Sequence, residues 1–296
     1  MKKLIKRTGI FVLIASMLFL AGCSSSGGSK TIRIVHKNFT EQRIMGEMLS
    51  VYLESKGYET TVNELGGSML CFNALNNGEA DLYPEYTGTG YSCILEQSDI
   101  LSPNETYDYV KSHFEEDYGI TWLAPFGFNN TYVLSVTEET AEKYDITSIS
   151  DLKDLAGDMI LGCDQEFVVR TDGYPGMCTL YGFEFKKVKN MDQGLTYAAL
   201  AEGDLDVNVS FSTDGRIAKY NLVNLEDDKH FFPPYYCTPI LKQEFAEANP
   251  GVVTALEALE NAWSDTDMQK YNLQVDEGAE LRDVATQMLK DKGLID

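Results

Sequence analysis

Short apolar runs along this chain alternate with longer stretches of helical spacing, and that alternation predicts an α/β fold. Residues 31–35 read as a strand. Ile44, Met45, Met48 and Tyr52 then fall on one face of a helix, with Asn38 and Glu41 as the expected capping pair at its start. The free N–H groups at that helix start would face a cleft and suit a carboxylate. Residues 121–124 and 132–136 are apolar enough for strands, and residues 250–292 return to helical spacing at Val253, Leu256, Leu259, Trp263, Leu281, Val284 and Met288.

An internal echo sharpens this picture. Ala74-Leu-Asn-Asn-Gly78-Glu-Ala-Asp81-Leu recurs as Ala199-Leu-Ala-Glu-Gly203-Asp-Leu-Asp206-Val, 125 residues later. Each copy reads as a helix end, a glycine where the chain leaves the helix, and an apolar strand. Tyr86 lies five residues beyond Asp81 and Phe211 five beyond Asp206; Thr89 and Asp214 lie eight beyond. Two similar lobes would bring these loops to equivalent strand ends, facing each other across a cleft.

The N-terminus carries an address. Lys2, Lys3, Lys6 and Arg7 precede an apolar run of 11 residues from Ile10 to Leu20. That run is too short for a membrane span, which needs roughly 20 residues, and it fits the centre of a secretory signal. Leu20-Ala-Gly-Cys23 resembles a bacterial lipobox, which implies cleavage before Cys23, lipid on its sulfur, and a protein anchored to the outer face of the cell membrane. Residues 1–22 are then a signal peptide, and the Ser- and Gly-rich residues 23–30 a lipid-anchored tether.

Composition limits the partners. A net charge of −22 with 46 acidic against 24 basic residues disfavours nucleic acid, which needs basic patches, and fits a solvated exported surface. Cys71, Cys93, Cys163, Cys178 and Cys237 have irregular spacing and no Cys-x-x-Cys motif; buried thiols are favoured over a disulfide framework, with Cys71–Cys93 and Cys163–Cys178 bridges left open. His36, His113 and His230 lack metal-ligand spacing, and no nucleophile elbow, zinc-protease or phosphate-loop motif occurs. No enzyme and no cofactor are expected. Seventeen Tyr and 14 Phe against 2 Trp supply material for an aromatic cage, or for an ordinary core.

Five segments in order carry a resemblance. They are His36-Lys-Asn-Phe-Thr-Glu-Gln42, Asp81-Leu-Tyr-Pro-Glu-Tyr86-Thr-Gly-Thr89, Phe167-Val-Val-Arg170, Phe211-Ser-Thr-Asp-Gly-Arg216 and Phe231-Phe-Pro-Pro-Tyr235. They resemble the blocks of the glycine betaine/carnitine/choline-binding proteins of ABC importers, over nearly all of the chain after residue 30. The resemblance implies a two-lobed type II periplasmic-binding-protein fold with a ligand cleft between the lobes and two crossover hinge strands. Lobe I would span residues 31–133 and 235–296, and lobe II residues 134–234. It implies an extracytoplasmic component that binds a quaternary-ammonium solute and delivers it to a permease, with ATP hydrolysed by a separate subunit.

Matched block to block, the resemblance implies a cage of Tyr86, Tyr132, Phe211 and Tyr235 around the ammonium. Lys37, Thr89 and Arg170 would hold a carboxylate. A trimethylammonium group cannot donate a hydrogen bond, so selecting it requires the negative faces of aromatic rings. Position 211 is Phe where the family commonly has Tyr, which keeps the π face and loses a hydroxyl. Met69, after Gly66-Gly67, stands where relatives often carry a polar residue; it is a specificity position or a core residue. Asp214 reads as a structural carboxylate or hinge contact. Glycine betaine, proline betaine, carnitine, choline and larger betaines such as methylated histidines all remain open. An enzyme on the same scaffold and a sensory or adhesive lipoprotein are the rival classes.

Overall fold

The computed structural model describes residues 31–169 and 173–296, so Cys23, the rest of the signal and tether, and Arg170 lie outside the described residues. The first sheet is built by β1 (Ile32–His36), β2 (Thr60–Glu64), β3 (Leu82–Tyr86) and β4 (Ile120–Trp122). They alternate with α1 (Thr40–Ser55), α2 (Ser68–Asn76), the single turn α3 (Thr87–Thr89) and α4 (Pro103–Tyr118). The chain then crosses into a second sheet: β5 (Tyr132–Thr137), α5 (Glu138–Tyr144), β6 (Ile160–Cys163), α6 (Gln165–Val169), α7 (Tyr174–Tyr181), β7 (Lys187–Asn190), α8 (Gln193–Ala201), β8 (Val207–Phe211), α9 (Gly215–Lys219) and β9 (Leu222–Asn224). It returns through β10 (Cys237–Lys242) and ends in α10 (Gln243–Ala248), α11 (Pro250–Glu257), α12 (Asp265–Asp276) and α13 (Leu281–Asp291).

The two sheets have the same plan. Their orders are β2-β1-β3-β10-β4 and β7-β6-β8-β5-β9. In each, four strands run parallel and one, which arrived by crossing over, runs antiparallel between two of them: β10 between β3 and β4, and β5 between β8 and β9. Each sheet is packed on both faces. One apolar cluster joins Ile34, Met45, Leu49, Trp263 and Met288, and another lies on the opposite face around Phe72, Phe114 and Trp122. The second sheet likewise separates a cluster around Leu161 and Met177 from one around Tyr197 and Leu200.

The sequence echo is a structural repeat. Gly78 and Gly203 both adopt the left-handed conformation just after α2 and α8, with φ of 71° and 81°. Without a Cβ, neither incurs the usual steric cost there. Asp81 accepts a hydrogen bond from Arg33 N at 2.9 Å, and Asp206 accepts one from Ile160 N at 2.8 Å. Each aspartate thus caps the backbone of the adjacent parallel strand. Tyr86 and Phe211 are then the last residues of β3 and β8, at the carboxyl ends where open α/β sheets bind ligands.

Two expectations change. Residues 121–124 give only the short strand β4, beginning one residue earlier at Ile120. The expected capping pair does not form: α1 starts at Thr40, Phe39 is its N-cap, and no side chain caps it. Glu41 is turned inward to buried partners, which compete successfully for its carboxylate. Neither bridge left open by the sequence is present, and the expected burial of the thiols holds for Cys71, Cys163 and Cys237 but not for the half-buried Cys178 or the exposed Cys93. Among the described residues no helix is long and apolar enough to cross a membrane.

Candidate functional site

The two crossovers lie side by side where the sheets meet. Asn129 and Tyr236 form a β-bridge, Asn130 N donates to Tyr235 O at 3.0 Å, and Thr131 Oγ1 donates to Pro233 O at 3.1 Å. Beside them is a cavity of about 470 Å³. Tyr86, Tyr132, Phe211, Tyr235, Lys37 and Thr89 all line it.

The repeat explains why four aromatics converge. Tyr132 is the first residue of β5 and pairs across the ladder with Phe211, the last of β8. In the other sheet, Cys237 begins β10 opposite Tyr86, and Tyr235 lies two residues before it. The aromatics therefore sit at equivalent corners of two equivalent sheets. Tyr132 is the hub, with ring centroids 4.9 Å from Phe211 and 6.3 Å, nearly perpendicular, from Tyr235. Gly88 lets Tyr235 come close, since a Cβ there would meet its ring at 2.7 Å and Pro234 O at 2.9 Å.

Charge is distributed unevenly around these rings. Lys37 is buried and ion-paired with the fully buried Glu85, which also accepts from Tyr83 OH at 3.1 Å and Tyr86 N at 2.7 Å. The Lys37 ammonium lies 4.8 Å from the centroid of the Tyr86 ring, and Phe39 stacks with that ring at 6.2 Å. Arg216 and Asp214 form a two-pronged pair at 2.8 and 2.6 Å, with the guanidinium 4.5 Å over the Tyr197 ring. Asp214 also caps α9 by accepting from Arg216 N at 2.9 Å. Its expected structural role therefore has a definite geometry.

Glu41 is the least anticipated member of the wall. It is 3% exposed, and accepts from Tyr86 OH at 2.8 Å, Asn130 Nδ2 at 2.9 Å and Asn272 Nδ2 at 3.1 Å. Burial raises its pKa above the ordinary carboxylate range, against hydrogen bonds from Thr213, Tyr86, Asn272 and Asn130 that pull it down. Asn272 also donates to Thr213 O at 2.9 Å, and Gln269 Nε2 to Ser212 O at 2.7 Å, so α12 is stitched to the loop after β8. Gly215 makes that approach close: a Cβ would lie 2.5 Å from Leu273 Cβ and 2.6 Å from Gln269 O.

Met69 does not line the cavity and is not in the core; it is 45% exposed, beside Leu70 at 56%. The first turn of α2 instead presents Ser68 to the cavity, and the next residue is rotated about 100° away from it. Sequence reasoning missed Phe39, Asn130, Thr213, Arg216, Asn272 and Asp276, and took Glu41 for a cap. The block His36 to Gln42 already contained Phe39 and Glu41, but α12 offered no local signal. Among the described residues no cluster suited to a metal ion occurs.

Comparison with known proteins gives the family of the chain. The family described as the substrate-binding domain of ABC-type glycine betaine transport systems matches residues 30–291. A carnitine transport binding protein of Listeria monocytogenes is 37% identical over 273 residues, covering 90% of this chain and 89% of the relative. A glycine-betaine-binding protein of Pseudomonas aeruginosa is 34% identical over 296 residues, covering 96% and 94%. A crystal structure of a glycine betaine/carnitine/choline ABC transporter protein superposes with a TM-score of 0.85 at 35% identity, covering 90% of this chain and 100% of that one.

Proposed function

Since the chain belongs to the family of substrate-binding domains of ABC-type glycine betaine transport systems, we propose that it captures a trimethylammonium solute in the cavity between its lobes and hands it to a permease. The observation that carries this is the convergence of Tyr86, Tyr132, Phe211 and Tyr235 on one cavity. Rings presented this way attract a cation through their quadrupoles, at about 0.5–2 kcal/mol each, and require no donor from it. Carnitine and glycine betaine, named for the two relatives, are the first ligands to consider.

The carboxylate of such a ligand would lie toward Lys37 and Thr89, with Arg170 completing that side. Glu85 holds the Lys37 ammonium at the wall, and its remaining N–H donors would serve the anion. Lobes of residues 31–133 with 235–296, and of 134–234, would close on the ligand by bending at the paired crossovers. A permease, and through it an ATPase subunit, are the expected partners. The chain itself performs no chemistry in this reading. Lipid on Cys23 would keep it at the outer face of the membrane, and Cys23→Ser would release it to the soluble fraction.

The test is calorimetric titration of ligand-free protein with glycine betaine, proline betaine, carnitine, choline and a trimethylated histidine, alongside ordinary amino acids. Saturable binding confined to quaternary amines supports the proposal. Binding of ordinary amino acids with equal affinity would overturn it.

A further inference from the structure

The buried carboxylates near the cavity are not alike. Glu85 is paired with Lys37, and Asp214 with Arg216 at 2.6 Å, so each of these charges is cancelled by a cation. Glu41 lines the cavity with no ion pair among the described residues; its hydrogen-bond donors there are a phenol, the Thr213 hydroxyl and two amides, all neutral. Neutral donors orient a carboxylate without cancelling its charge. Asn272 donates to two acceptors, Glu41 Oε2 and Thr213 O, which fixes the amide orientation. Its Oδ1, like that of Asn130, is buried and has no hydrogen-bond partner among the described residues. Asn272 itself is 5% exposed. Glu41, with the Asn130 and Asn272 amides that donate to it, forms a polar patch of the cavity lining beside the Tyr86 hydroxyl.

We propose that the Glu41 carboxylate is the fixed counter-ion of the bound ammonium, and that it sets the preference of this site for cationic head groups over neutral ones of the same shape. This rests on the quaternary-amine reading given above. A quaternary ammonium makes no N–H bond, but its polarised methyl groups suit carbonyl and carboxylate oxygens. A carboxylate already held by four donors needs no reorganisation when the cation arrives, and in a cavity shielded from water its field is poorly screened.

The charge also gives the site a pH dependence of definite sign. The titratable groups in contact with Glu41 are Tyr86 from β3 and Cys237 from β10, and those that line the cavity with it are Asp276 from α12, Asp214 and Arg216 from the start of α9, and Lys37 from the turn before α1. Burial favours the protonated form of Glu41, whereas a bound cation favours the ionised form. Cation binding therefore releases protons in mild acid, and affinity rises with pH through the range just above the ordinary carboxylate region.

The experiment titrates wild type, Glu41→Gln and Glu41→Asp with whichever of choline, glycine betaine and carnitine binds best. Each is paired with its neutral-headed isostere, in which a tert-butyl group replaces trimethylammonium. Glu41→Gln should lose about tenfold or more in affinity for the cation and much less for the isostere, with Glu41→Asp in between. Equal losses for both ligands would make Glu41 a structural pin and overturn the assignment. Should the variants fail to fold, calorimetry on wild type in two buffers of different ionisation enthalpy gives the answer. Proton release on binding in mild acid supports the counter-ion, and none overturns it. Wild-type protein that binds no trimethylammonium ligand overturns the function proposed above; binding with the wrong variant pattern overturns this inference alone.

Discussion

Tyr132 and Phe211 stand directly opposite each other across the β5–β8 ladder, with ring centroids 4.9 Å apart and planes tilted by 34°. Register in a sheet whose faces are both packed is strongly specified, so this pair is held by the core and not by the cavity. Phe211→Leu should therefore leave the melting temperature nearly unchanged and weaken trimethylammonium binding by about 1–2 kcal/mol, roughly tenfold. Phe211→Tyr should keep the affinity. Titration of both variants against the same ligand checks the pair.

Gly88 supplies a way to move a ring without deleting it. The Cβ of Gly88→Ala would collide with the Tyr235 ring and Pro234 O, and the ring must shift. The expected result is reduced ligand affinity with a stability loss of about 1–3 kcal/mol, the ordinary range for overpacking. Urea unfolding and titration on one preparation separate the two effects; unchanged affinity would show that the position of Tyr235 does not matter to the site.

Lys37 and Glu85 should behave as a unit. Lys37→Met leaves Glu85 buried without its cation, and a broken buried pair costs about 3–5 kcal/mol. Replacing both at once, as Lys37→Met with Glu85→Leu, should recover most of that loss. A urea double-mutant cycle measures the coupling, and additive losses would show that the pair contributes no mutual stabilisation.

The architecture was legible because its signals are local and repeated. Gly78 and Gly203 punctuate two helix-to-strand passages, and the aromatic five residues after each aspartate falls at a strand's carboxyl end for the same geometric reason. The remainder of the site was not legible because it is assembled by distant chain. Asn272 and Asp276 come from α12, near the end of the chain, and reach the cavity only because Gly215 lets α9 lie against that helix. Glu41 satisfied the spacing of a helix cap, and tertiary partners overrode that local preference. Met69 shows the converse: proximity in sequence to a cavity residue, Ser68, says little when successive helical side chains point in different directions.

The cysteines make a chemical map of the cavity. Burial pushes the Cys71 and Cys163 thiols up to about 12, and Cys237 is also buried, whereas Cys93 is exposed and lines the cavity. Thiolates are the reactive form, so alkylation at neutral pH should label Cys93 ahead of those three. Saturating ligand should slow the labelling of Cys93. Mass spectrometry of partly alkylated protein reads both effects, and equal labelling of Cys93 with and without ligand would place the ligand elsewhere.

The central claim is that the rings recognise methyl groups carrying a positive charge. The most direct measurement is calorimetric titration of the wild-type protein with glycine, its mono- and dimethylated forms, and glycine betaine, which share a carboxylate and a charge and differ in N–H donors and methyl groups. Affinity is predicted to rise at each step and to be highest for the fully methylated compound. Equal affinity along the series, or tightest binding of glycine, would contradict the aromatic cage.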